Sequence, residues 1–247
     1  IVERGGQLTF DIHDAATGEA TPAKLFTFGR HNVSNAVGVF AVGRWLDIPA
    51  DKIVKGLSEY RGEGLRQNLV ELGGQKVLVD CYNASEEAIN STAGALQTIT
   101  VGPGGRRLMV LADIDDKLGD LTEEVHRRVG DNIKQFTDID EIIFYGDHMS
   151  WAAEEYAKAG RPFFHTTDRT EMEHYIQAHT SAEDVIAFKG GQQMALSITI
   201  DHLFGSTFCL EDGNVLHDRG SDFMIEGEHY LGCLLYTSDA VDDSLRV

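Results

Sequence analysis

The chain has 247 residues, 42% of them hydrophobic, enough apolar material for one large domain or two modest ones. Its formal net charge of −19 argues against a surface that grips a nucleic-acid phosphate backbone and for small-molecule chemistry. No apolar run reaches the ~18 residues of a membrane span, no signal peptide is read, and three scattered cysteines (Cys81, Cys209 and Cys233) form neither a metal spacing nor a disulfide framework, which fits a reducing compartment.

The sequence opens at Ile1 without an initiator Met and reads as cut at its start. Two strands are expected at Gln7–Ile12 and Lys24–Phe28, around a turn near Gly18. Val33, Val37, Phe40, Ala41 and Trp45 then recur at helical spacing, which predicts an amphipathic helix over 31–46 with that stripe as its apolar face. Asp47-Ile48-Pro49 ends it, 50–59 forms a shorter helix, and Arg61-Gly-Glu-Gly64 reads as a linker and domain boundary.

From about Leu65 strands and helices alternate. Strands are predicted at 76–80, 108–112, 142–145, 162–165 and 185–188. Helices are predicted at 85–99, over the stripe Leu121, Val125, Val129, Ile133 and Phe136, and at 151–159. Another is capped by Asp168 with Glu171 three residues on, and the last spans 192–203. Such alternation argues for a mostly parallel sheet with helices on both faces. Beyond Gly205 the pattern fades. Phe208–Leu210, Val215–Leu216 and Phe223–Ile225 read as short strands of an appended segment, 206–233, without an assigned role. Residues 234–247 read as translated adapter DNA and are set aside.

Val77, Leu78 and Val79 form a buried-strand run that stops at Asp80; Cys81, Tyr82 and Asn83 follow, and Ser85 opens a helix with Glu86 and Glu87 in its first turn. Asp80 therefore falls at the carboxyl end of a parallel strand, where open α/β sheets bind ligands, or else caps a turn. Asn32 and Asn35 share a helix face; either they read an adenine edge, or Asn32 is an N-cap and Asn35 an ordinary first-turn residue. Arg66 carries a fork suited to phosphate or is a solvated surface residue. Lys189, followed by Gly190 and Gly191, stands ready to meet a carboxylate beside backbone donors or is a turn lysine. His126 reads as surface or packed, and Asp113, Asp115 and Asp116 as solvated loop carboxylates, so no metal site is expected. No Gly-x-Gly-x-x-Gly follows the 76–80 strand, which disfavours a dinucleotide oxidoreductase.

As an ordered set these pieces resemble the Mur ligase family: His31-Asn-x-x-Asn35 on a helix, a linker with Arg66, Asp80-x-Tyr-Asn-Ala84 after a strand, Leu111-Ala-Asp-Ile-Asp-Asp-Lys-Leu-Gly119 with His126-Arg-Arg-Val-Gly130, and Asp184-Val-Ile-Ala-Phe-Lys-Gly-Gly191. The order is most similar to the branch that adds D-alanyl-D-alanine to UDP-N-acetylmuramoyl-tripeptide, over roughly residues 7–204. The resemblance implies a Rossmann-like C-terminal domain at 65–205, preceded at 1–64 by the end of a P-loop-type α/β ATPase domain. It implies an ATP-dependent ligase of peptidoglycan precursor synthesis, monomeric and cytoplasmic, with no nucleic-acid or membrane partner. Its substrates would be a UDP-muramoyl peptide and D-alanyl-D-alanine or a similar amine. ATP phosphorylates the substrate carboxylate, and the amine attacks the acyl phosphate.

Residue by residue, the resemblance puts Asn32 and Asn35 at the adenine side of ATP, Arg66 at its phosphates and Asp80 at its ribose. Tyr82 and Asn83 lie near ATP and the amine, and Lys189, Gly190 and Gly191 towards the incoming substrate. The sequence departs from the family pattern at Ser85, where Pro is expected near Asn-Ala, in the altered 112–119 segment, and at Gly191, where Ser is expected. No Gly-x-x-x-x-Gly-Lys-[Ser/Thr] occurs, so no catalytic residue is assigned, the Mg2+ ligands are assigned outside this chain, and the chain by itself is expected to be inert. Two alternatives stand beside this reading: a related folylpolyglutamate-type or amino-acid-polymer ligase, and a non-catalytic nucleotide-binding α/β module.

Overall fold

The computed structural model describes residues 1–205 except 16, 62, 63 and 115, together with two short strands at Phe223–Ile225 and Glu228–Tyr230. The segments 208–210, 215–216 and 234–247 lie outside the described residues.

The first part is a three-stranded antiparallel sheet, β1 (Val2–Arg4), β2 (Gln7–His13) and β3 (Ala20–Leu25), followed by helices α1 (Arg30–Trp45) and α2 (Ala50–Glu59). Strict alternation in β2 buries Leu8, Phe10 and Ile12 against the helices and turns Thr9, Asp11 and His13 outward. β3 starts earlier than the sequence predicts, because the β2 register runs from Leu8 opposite Leu25 to His13 opposite Ala20. Pro22 is tolerated there since β3 is an edge strand.

The buried stripe of α1 is Val33, Ala36, Phe40 and Gly43, whereas Val37, Ala41 and Trp45 of the expected stripe face outward. An α1 that is apolar on nearly every side sets no single face by periodicity. Small side chains at Ala36 and Gly43 decide it, letting Ile53 of α2 approach closely. The helix ends in a Schellman arrangement: Ile48 N–H donates to Gly43 O at 3.0 Å and Asp47 N–H to Arg44 O at 3.1 Å.

The second part is a six-stranded sheet. Its elements are β4 (Asn68–Leu72), β5 (Gln75–Asp80), α3 (Glu86–Thr98), β6 (Arg107–Ala112), α4 (Thr122–Asn132), β7 (Glu141–Tyr145), α5 (Met149–Ala157), β8 (Phe163–Thr166), α6 (Arg169–His179), β9 (Val185–Lys189) and α7 (Leu196–Phe204). The spatial order is β4-β5-β9-β6-β7-β8, parallel throughout except for β4. Helices α3, α4 and α5 cover one face and α6 and α7 the other. The expected mixed α/β fold, with a mostly parallel, doubly covered sheet, is what the chain adopts.

Three local features differ from the sequence reading. The antiparallel β4 was not anticipated; Gly73 and Gly74, both at positive φ (57° and 83°), close a two-residue turn that only glycine makes easily. Helix α5 begins at Met149 rather than Trp151. The last helix is broken at Ala195, whose φ of 45° separates a short 3-10 turn (Gln192–Met194) from α7. The capping of α6 follows expectation in part: Asp168 Oδ1 accepts from Glu171 N–H at 2.9 Å, but the Glu171 carboxylate is taken up by the Thr166 hydroxyl. Phe223–Ile225 is a strand, β10, paired with β11 (Glu228–Tyr230). Among the described residues, no helix is long and apolar enough to cross a membrane.

Candidate functional site

Strand β5 is followed by α3 on one face, and its neighbour β9 by α7 on the other. The chain therefore leaves these two adjacent strands in opposite directions, and a crevice opens at their carboxyl ends. Asp80 and Lys189 are the last residues of the two strands and are directly paired in the ladder.

Asp80 is buried, and its partners among the described residues come from three different segments. Lys189 Nζ stands 3.0 Å from Oδ2, the Thr92 hydroxyl of α3 donates to the same oxygen, and Gln67 N–H donates to Oδ1 at 3.2 Å. Lys189 also donates to Asn83 O at 2.6 Å, so one ammonium fixes the end of β5 and the turn that follows it. The family-based reading aims Lys189 at the incoming substrate; the geometry gives it two internal partners and 2% exposure. Ser85 Oγ accepts from Ala88 N–H at 3.2 Å and starts α3 immediately beyond the turn.

Above this pair lies a cleft of about 600 Å³ between the first part of the chain and the second. Asn32, Asn35, Arg66, Asp80, Tyr82, Asn83 and Lys189 all line it, so seven of the nine residues singled out from sequence converge on one cavity. Gly190 and Gly191 do not line it. Gly190 packs under Ala112 and Leu196, where an added Cβ would meet the Ala112 methyl at 2.8 Å, and Gly191 N–H points to Asp113 O at 3.5 Å.

The asparagines are not helix caps: Gly29 holds the N-cap position, the Asn32 amide donates to Phe28 O at 2.7 Å, and Asn35 donates to Asn32 Oδ1 at 3.3 Å. The Arg66 guanidinium lies over the Tyr82 ring, 3.5 Å from its centre, which pre-sets the fork at the cleft wall. A second cavity, about 510 Å³ and mostly apolar-walled, adjoins the cleft and shares Asn32, Asn35 and Tyr60 with it.

Gln67 was missed from sequence. It sits at a φ of 43°, its N–H holds Asp80, its amide donates to Ser91 Oγ at 2.9 Å, and its buried Oε1 has no hydrogen-bond partner among the described residues. A strained, under-satisfied polar residue in a cleft is a functional-site signal, but a glutamine after Arg66 does not announce positive φ. Thr92 carried a weaker signal, as a hydroxyl on the helix face that otherwise buries Ile89, Ala93 and Leu96.

Asp113 departs from the sequence reading, whereas His126 takes the packed one of its two alternatives. Asp113 is not a solvated loop carboxylate; it is buried and accepts the N–H groups of His148 and Met149 at 3.2 and 2.8 Å, which starts α5 two residues early. His126 is fully buried, and burial pushes its imidazole below the ordinary value, against the opposing pull of the Thr122 carbonyl and Asp113.

Residues 65–191, just over half the chain, match the family model described as Mur ligase, glutamate ligase domain. The chain belongs to the Mur ligase family. It is 30% identical over 182 residues to the UDP-N-acetylmuramoyl-tripeptide--D-alanyl-D-alanine ligase of Bacillus subtilis (strain 168), covering 72% of this chain and 39% of that protein. The protein of the same name from Escherichia coli (strain K12) is 27% identical over 184 residues, covering 73% of this chain and 38% of its own length. The chain thus spans about two fifths of these relatives. Among solved structures, MurF from Acinetobacter baumannii superposes with a TM-score of 0.70 at 24% identity, over 81% of this chain and 43% of that one. MurF ligase from Thermotoga maritima in complex with ADP does so with a TM-score of 0.63 at 19% identity, over 82% and 47%. These likenesses establish the shared Mur ligase fold of the second part.

Proposed function

We propose that this chain is the nucleotide-closing half of an ATP-dependent amide ligase that adds D-alanyl-D-alanine to a UDP-muramoyl peptide in peptidoglycan precursor synthesis. The observation that carries the reading is the single cleft lined by Asn32, Asn35, Arg66, Asp80, Tyr82 and Asn83. Its polar groups suit the three parts of a nucleotide. The asparagine amides sit beside an apolar recess fit for a purine ring. Arg66 offers a fork to phosphate, and Asp80 accepts from ribose hydroxyls. On this reading residues 1–64 close the family's ATPase domain, 65–205 are its C-terminal domain, and the protein is a cytoplasmic monomer. The cleft itself does not suit Mg2+: its buried carboxylate, Asp80, is already paired with Lys189. The magnesium ligands and the P-loop are therefore assigned outside this chain, and the chain alone should form no amide.

Calorimetric titration of the chain with ATP and with ADP tests the reading. Saturable binding is expected, lost in an N35A/R66A double variant whose circular dichroism is unchanged. No heat at millimolar nucleotide, or binding indifferent to both substitutions, overturns it. ATP-dependent amide formation by the chain alone would overturn its assignment as an inactive half.

A further inference from the structure

Apart from the cleft, one cluster of ligating side chains stands at the carboxyl end of the sheet on the α4 and α5 side. Asp113 follows β6, His126 lies in α4, and His148 precedes α5. One donor atom from each lies within 4.8 Å of the other two. We infer that Asp113, His126 and His148 form a binding site for a borderline divalent metal ion of the zinc and cobalt class, with a fourth position open to water.

The donor set selects the class. Two imidazoles and one carboxylate suit Zn2+, Co2+ or Ni2+, whereas Mg2+ and Ca2+ favour all-oxygen shells. The imidazole of His126 is oriented as in known sites, with Nδ1 held 2.7 Å from Thr122 O, so that its proton sits there and Nε2 keeps its lone pair. The Asp113 carboxylate is held by two backbone N–H groups at the start of α5 and keeps lone pairs to spare. His148 is the mobile member and the entry path: its side chain is 40% exposed and its Nδ1 is 3.7 Å from Asp113 Oδ2.

Binding has two structural consequences. Donors around a tetrahedral ion stand roughly 3.3 Å apart, given metal–ligand bonds of ~2.0–2.1 Å, so the cluster must contract, and the exposed His148 is free to do so. His126 Nε2 also takes a long hydrogen bond from Ile114 N–H, 3.2 Å away, which the ion must displace. The Ile114 amide is therefore a direct reporter of metal on Nε2.

Trp151 supplies a second reporter. Its ring stacks on His148, with centres 5.4 Å apart and planes 3° from parallel. The chain holds two tryptophans, and the other, Trp45, is 81% exposed, so Trp45→Phe isolates the Trp151 signal without touching the core.

The test is a Co2+ titration of the W45F chain, following Trp151 quenching and d–d absorption, with Zn2+ competition and with 1H–15N spectra taken in Zn2+. Saturable 1:1 binding tighter than about 100 µM is expected, with the Ile114, His148 and Met149 amides shifting. His148→Gln should weaken it by about tenfold or more. His148 is half-exposed, so this variant folds, and His126→Gln with circular dichroism checks the buried ligand. Absence of saturable binding, binding that survives H148Q, or an unshifted Ile114 amide each overturns the site.

Discussion

Lys189 Nζ lies 3.0 Å from Asp80 Oδ2, at the carboxyl ends of two adjacent strands in register, with side-chain exposures of 3% and 9%. So deeply buried a pair is expensive to break from one side. Lys189→Met leaves an uncompensated buried carboxylate and should destabilise the chain by about 3–5 kcal/mol, whereas D80N/K189M, which removes both charges, should recover most of that loss. Urea denaturation of the single and double variants measures the difference. Equal stability of the two would mean that the ion pair does not hold the strand ends together.

Arg66 is stacked on Tyr82 rather than free in solvent. If it meets the nucleotide phosphates, Arg66→Ala should weaken ATP binding about tenfold, the scale of one charge-assisted hydrogen bond, and leave adenosine binding almost unchanged. Arg66→Lys should rescue little, because a lysine keeps the charge but loses the flat stack and the fork. Calorimetry with ATP and adenosine separates these outcomes. An equal loss for both ligands would place Arg66 at the base or sugar, or make its role purely structural.

The parts that were legible in sequence were those governed by local rules. The strand–helix alternation from β5 to β9 follows from apolar runs and caps, and it places Asp80 and Lys189 at strand ends without any knowledge of packing. What could not be read depends on partners distant in sequence. Only the fold brings Lys189 to Asp80 and Asn83, or Asp113 to His126 and His148. The face of α1 was misassigned because nearly all its sides are apolar, and the choice rests on where α2 comes closest. The break at Ala195 is held by Arg169, whose guanidinium donates to Met194 O, Ala195 O and Thr199 Oγ1. Nothing in the sequence around Ala195 marks that long-range contact. The exception is Gly73–Gly74, a two-residue hairpin signal that the local sequence itself carries.

Asp47 is exposed and occupies the left-handed position after α1, with a φ of 59°. A side chain there carries a steric cost, and its carboxylate faces the negative end of the helix. Asp47→Gly should stabilise the chain by about 0.5–1 kcal/mol, the relief being offset in part by the greater freedom of glycine in the unfolded chain. Thermal or urea unfolding checks it. Destabilisation would mean that the Asp47 side chain has a role that its exposed position does not suggest.

Tyr175 is expected to steepen the loss of stability in alkali. Its phenol is pushed up to about 12, first by burial and then by the hydrogen bond it donates to Glu141, which Arg106 also holds at 3.2 Å. In the unfolded chain a tyrosine loses its proton near pH 10. Between about 10 and 12 the folded state therefore keeps a proton that the unfolded state has released, and stability falls as pH rises. The contribution is complete below pH ~10 and is lost on passing through the folded value. Tyr175→Phe removes the titration. It should cost about 1 kcal/mol at neutral pH, from the lost hydrogen bond, and should show a shallower alkaline decline than the wild type. Denaturation midpoints taken between about pH 8 and 11.5 measure both effects. Parallel declines in the two proteins would show that the alkaline sensitivity arises elsewhere, with Tyr156, whose phenol burial also raises, as the next residue to substitute.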